Sequence, residues 1–180
     1  MKIAKFWLVA LSFAAILVFA SCDKDDDKDP TLYEKLGGTE RVADPAGGGM
    51  IEKGRLGLRS VVDSTIFVIA ADPSLSPYFA SLLGEVGSGN LTNLAVLSKN
   101  LTDFFCVATG AENFAYDGLD MAAAHDPARN PRMALKADNA SYDSFIAAVV
   151  VGAQQNSVPS ELITEVGALL ETLRTTVVQR

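Results

Sequence analysis

The sequence predicts an all-α fold in a single domain, and three observations carry that expectation. Apolar residues recur at three- and four-residue spacing through each long segment after residue 55, the period of a helix with one buried face. Gly, Pro and capping residues punctuate those segments where a helix would start or stop. Once a leader is set aside, the chain is long enough for one domain with a real core, and nothing in it suggests two.

The leader comes first. Lys2 and Lys5 precede an apolar run from Phe6 to Ala20. That run is shorter than the ~20 residues of a membrane-spanning helix and suits the core of a secretory signal. It closes on Phe19-Ala20-Ser21-Cys22, which resembles a bacterial lipobox, with Phe19 where Leu is more usual. The resemblance implies cleavage before Cys22 and acylation of its thiol; two or more acyl chains give stable anchoring. Simple secretion with a free thiol is the plainer alternative. Residues 23–30, DKDDDKDP, contain no apolar side chain and read as a solvated tether.

The expected plan is thus a signal peptide over 1–21, a lipidated Cys and acidic tether over 22–30, and a folded domain over 31–180. The protein would be exported and lipid-anchored at a bacterial membrane, on its periplasmic or cell-surface face. Losing residues 1–21 removes Lys2 and Lys5 and no acid, so the formal charge goes from −7 to −9. Such an acidic chain is a poor partner for nucleic acid. Cys106 has no partner once Cys22 is acylated, so no intramolecular disulfide is expected.

The elements follow in order. Pro30 to Gly38 offers Thr31 as an N-cap, a short helix and a Gly-Gly stop. Residues 39–54, with three consecutive glycines, read as an inserted flexible loop. Leu56 to Asp72 is a helix with Leu58, Val62, Ile66 and Ile69 on one face, followed by a short turn through Pro73. Residues 82–90, with Gly84, Gly87 and Gly89, read as a second insertion. Asn90 or Thr92 then caps a helix to about Ala108, its stripe being Leu94, Leu97, Leu101, Phe104 and Phe105. A short apolar segment, Leu119 and Met121 to Ala124, ends at His125, and the two-proline stretch 126–138 is a loop. Asn139 or Ser141 opens a further helix. The last helix starts at Val158-Pro159-Ser160 and buries Leu162, Val166, Leu169, Leu170, Leu173 and Val177.

His125 is the sole histidine, so any imidazole-bound metal must use it. On composition alone a lone His in an apolar segment is more often a satisfied core or surface residue. Four blocks give it a second meaning: LYEKLGG, the helix ending ADPSLSPYF, the Tyr116-x-Gly118…Met121…His125 segment, and VPSELITEV. In this order they resemble the truncated haemoglobins, group 1-like. The resemblance implies a shortened helical sandwich around one haem, with His125 as proximal iron ligand and Phe79 and Tyr116 near the haem face and edge. It also implies a diatomic gas ligand (O2, CO or NO), hence oxygen binding or transport, and it names no redox partner. No Cys-x-x-Cys-His motif is present, so the cofactor would be haem b held non-covalently.

The resemblance also locates the gas-binding side. The family's distal tyrosine falls at Ile66, and its ligand-facing glutamine and an upstream partner fall at Leu101 and Leu97. All three positions are apolar, and Thr65, Ser98, Asn100 and Thr102 are the neighbouring donors. Three readings stay open: a haem pocket without polar stabilisation, a globin core with lost or altered ligand chemistry, and a haem-free anchored module that recognises a partner protein. Nitric-oxide dioxygenation or peroxidase-like activity is left open by analogy of fold alone. One His supports no Ser/His/Asp constellation, and the glycines at 47–49 lack the Lys-Ser/Thr of a P-loop.

Overall fold

A computed structural model describes residues 29–180. The expected signal peptide and Cys22 lie outside the described residues, as does all of the tether except its last two residues. Eight helices are described: α1 (Leu32–Lys35), α2 (Lys53–Ala71), α3 (Ala80–Gly87), α4 (Thr92–Ala108), α5 (Met121–Ala124), α6 (Asn139–Gln155), α7 (Ser160–Glu171) and α8 (Arg174–Val177). A 3-10 turn, Ser76–Phe79, leads into α3, and strands β1 (Arg41–Ala43) and β2 (Met50–Glu52) form one antiparallel hairpin. The architecture is all-α apart from that hairpin.

The ends of the helices follow local chemistry. Thr31 and Glu34 form a reciprocal capping box on α1, and Asp138 and Ser141 do the same for α6. Such a cap contributes about 1 kcal/mol. After α1 the chain reverses through Gly37 and Gly38, both at positive φ. The Gly38 carbonyl then receives the amide of Gly54 in the first turn of α2, 3.0 Å away.

The core lies where α2 crosses α4 on one side and α6 on the other, with α7 packed on α6. Leu58, Val62, Phe105, Cys106, Val149 and Leu170 are buried there around Tyr33. Each fully buried aliphatic side chain contributes about 1.5–3 kcal/mol. Gly152 lets α6 approach α2 closely: a Cβ there would run into the Thr65 hydroxyl. An ion pair on the buried Asp103 staples α4 to α2, with half-buried Arg55 at 2.6 Å and Lys99 on the other carboxylate oxygen. The Arg55 guanidinium also lies over the Phe114 ring, 4.5 Å from its centroid.

Two sequence expectations are corrected. Residues 39–54 are not a flexible loop. They form the hairpin and the start of α2, with Val42 opposite Ile51, and Asp44 held by Arg59 at 2.8 Å. Gly47 and Gly49 supply the positive φ values of its turn. Residues 82–90 are not an insertion of loop either, because α3 runs to Gly87. Leu82 is buried, and Leu83 and Val86 turn toward the same interior. Burial outweighs the roughly 1 kcal/mol that each helical glycine costs. The 126–138 stretch is a loop as expected, broken by isolated turns and a single bridge from Ala137 to Val178.

Candidate functional site

The helices enclose a cavity of about 420 Å³. Its size falls within the roughly 300–1,000 Å³ of ordinary small-molecule sites. α2 contributes Ile66, Phe67 and Ile69, α4 contributes Leu97, Asn100, Leu101 and Phe104, and the α5 side contributes Met121, Ala124 and His125. Phe79 from the 3-10 turn and Phe145 from α6 close the wall between them. All six residues that the sequence singled out, Ile66, Phe79, Leu97, Leu101, Tyr116 and His125, lie on this one cavity.

His125 is placed by the turn before it. Asp120 caps α5 by accepting the Ala123 amide, 2.9 Å away, which starts the helix at Met121. The helix lasts one turn, so His125 stands at its C-terminal end. Its Nδ1 lies 2.8 Å from the Met121 carbonyl oxygen. A carbonyl only accepts, so Nδ1 carries the proton and Nε2 keeps its lone pair. Burial holds the imidazole below its ordinary pKa, partly countered by the Met121 hydrogen bond. The ring is therefore neutral near pH 7, the form in which imidazole ligates metal. Among the described residues, no three His, Cys, Asp or Glu side chains cluster to hold a bare metal ion.

Tyr116 explains the Tyr-x-Gly pattern. Its hydroxyl donates to the Leu119 carbonyl at 2.7 Å, folding the segment back over Gly118. A Cβ on Gly118 would meet the phenol of Tyr116, so any larger residue there displaces that ring from its place over the turn. The ring meets Phe104 edge-on with centroids 5.8 Å apart, joining this segment to α4. Phe79 packs against both the Ile69–Leu75–Ala148 cluster and the Tyr78–Met133–Tyr142 cluster.

The four polar residues beside Ile66, Leu97 and Leu101 differ in what holds them. Thr65 is buried and donates to the Val61 carbonyl at 2.8 Å. Ser98 is taken up by Asp63 at 2.5 Å. Thr102 is buried with its hydroxyl unpaired, and it does not line the cavity. Asn100 alone of the four reaches the wall. Sequence reasoning missed Asn93, Asn130 and Arg132, polar residues on the same cavity. Asn93 and Arg132 both bond the Glu85 carboxylate, joining α3, α4 and the loop after His125. Asn93 was legible one turn before Leu97; Arg132 sits in a loop that no periodicity reads.

This arrangement of helices is shared with known proteins. No family model matches the sequence, and no curated protein matches it. Solved structures do match. The Fe(III) form of truncated haemoglobin from Tetrahymena pyriformis superposes with a TM-score of 0.61 at 21% identity, covering 84% of this chain and 100% of that one. The 2/2 haemoglobin from Synechococcus sp. PCC 7002, in the cyanomet state with covalently attached heme, gives 0.58 at 23%, with the same coverage. The fold is that of a truncated haemoglobin.

Proposed function

We propose that this domain binds haem b non-covalently in the 420 Å³ cavity, with His125 as the iron ligand and a diatomic gas as the physiological ligand. The observation that carries the reading is the His125 ring. Its Nδ1 proton is committed to Met121, and its Nε2 lone pair belongs to a neutral imidazole on the wall of an apolar cavity. A backbone carbonyl on the far nitrogen is the usual support of a ligating histidine, fixing tautomer and orientation. The residues present fit the group: aromatic and aliphatic side chains for the macrocycle, one imidazole for iron, and Arg132, which would exchange its Glu85 partner for an acidic edge.

When bound, the haem iron supplies the coordination position at which O2, CO or NO is taken up. The chain's own part is to hold and exclude. Ile66, Leu97 and Leu101 keep water from the gas side and offer no hydrogen bond. We further propose that the domain is exported and anchored by a lipid on Cys22. Among the described helices, no single one is long and apolar enough to cross a membrane.

Titrating haem into the purified haem-free domain tests the binding proposal. A Soret band that saturates at one haem per chain, with matching iron content, is the expected result. A protein that takes up no haem overturns it and leaves a globin fold put to another use, such as recognition of a partner protein.

A further inference from the structure

The helix that carries His125 is one turn long, far below the ~12–15 residues at which isolated helices become even marginal in water. Its direction must be imposed from outside. Three of its four carbonyls are bonded by side chains. Met121 accepts from the His125 ring itself. Ala124 accepts from Asn130 Nδ2 at 2.8 Å. Ala122 accepts from Gln179 Nε2, also at 2.8 Å and from 57 residues away.

Gln179 is itself held firmly. Val178 pairs with Ala137 in a short parallel bridge, and the Gln179 amide donates to the Ala137 carbonyl at 2.9 Å. Arg180 then reaches Asp138 at 2.9 Å and the Tyr78 hydroxyl at 3.1 Å. The segment 177–180 thus ties α5 to the start of α6 and to the 3-10 turn beneath Phe79. A strap of this kind fixes the helix that presents the imidazole relative to the opposite walls of the cavity.

We infer that Gln179 is a positioning residue for His125. Its carboxamide, acting through the Ala122 carbonyl, sets the tilt and depth of the imidazole in the cavity. As a role toward iron it rests on the haem proposal above. The strap itself stands without haem.

The test uses Gln179→Leu, which keeps bulk and loses the donor, beside Gln179→Arg, which keeps a donor on a long stem. In the haem-free protein, amide exchange at residues 121–126 should speed up roughly two- to tenfold in Gln179→Leu, the range for one lost hydrogen bond. Exchange in α2, α4 and α6 should not change. In the haem-loaded protein the iron–imidazole stretching band should move to lower frequency in Gln179→Leu and return in Gln179→Arg. Unchanged exchange at 121–126 overturns the strap. Faster exchange with an unmoved iron–imidazole band overturns the positioning role. A wild type that takes up no haem is a different failure: it overturns the proposed function and with it any role toward iron, while the exchange data still decide the strap.

Discussion

Ile66→Tyr places a hydroxyl on the apolar wall of the cavity that the proposed function makes its gas side. Ile66 is half-buried on α2 and faces the cavity together with Leu97 and Leu101 from α4. Dioxygen draws negative charge on binding iron, so a nearby O–H donor holds it, whereas carbon monoxide gains far less. A hydrogen bond to a charged acceptor contributes roughly 1.5–3 kcal/mol, or about ten- to a hundredfold in affinity. Stopped-flow measurement of oxygen and carbon monoxide release from the haem-loaded variants should show that gain in the oxygen off-rate alone. Ile66→Phe carries the ring without the hydroxyl and separates bulk from donation. Equal oxygen off-rates for the Tyr and Phe variants would refute the reasoning. So would a wild type that already releases oxygen slowly, which would point to Asn100 as an existing donor.

Three further outcomes are expected. Gly118→Ala displaces the phenol of Tyr116 and breaks its bond to Leu119, destabilising the fold by about 0.5–1.5 kcal/mol in urea unfolding, the range for one lost hydrogen bond. The acid limb of stability should depend on Asp103: burial raises its pKa, but the hydrogen bonds from Lys99 and Arg55 outweigh that and hold it below the ordinary 3.8. A carboxyl depressed on folding contributes its stability above that value and loses it as pH falls through the folded one, so Asp103→Asn should flatten the loss below about pH 4 in pH-dependent unfolding. Cys22→Ser should move the expressed protein from the detergent phase to the soluble fraction; a variant that stays with the membrane would exclude the lipid anchor.

The parts legible in the sequence were those written in helical register. Leu58, Val62, Ile66 and Ile69 recur on one face because α2 is a helix with a core on one side, and the first two of them are indeed in the central cluster. The same register carries Leu97 and Leu101 to the cavity. Tyr116, Gly118 and His125 were legible as a motif through their resemblance to a known segment, and the Tyr116 ring folded over Gly118 gives that spacing a physical reason. Glycine misleads in this sequence where burial or an ion pair outweighs its bias toward loops. Gly84 and Gly87 sit inside α3, where Leu82 and Leu83 bury enough surface to hold a helix. Gly47 and Gly49 make a hairpin turn, anchored by an ion pair from Asp44 to Arg59 that only three dimensions reveal. The break between α7 and α8 also escaped the periodicity, because Leu170, Leu173 and Val177 keep the same three- and four-residue spacing across it. Gln179 reaches α5 across 57 residues, a contact that no local pattern encodes.

The central claim, that His125 coordinates iron inside this cavity, is met most directly by His125→Gly with haem and free imidazole. His125 lines the cavity beside Met121 and Ala124, so removing its ring should leave space there for an imidazole molecule. The account predicts that the haem-loaded variant loses the imidazole-ligated absorption spectrum and regains it, saturably, when imidazole is added. A variant whose spectrum matches the wild type before any imidazole is added would contradict it.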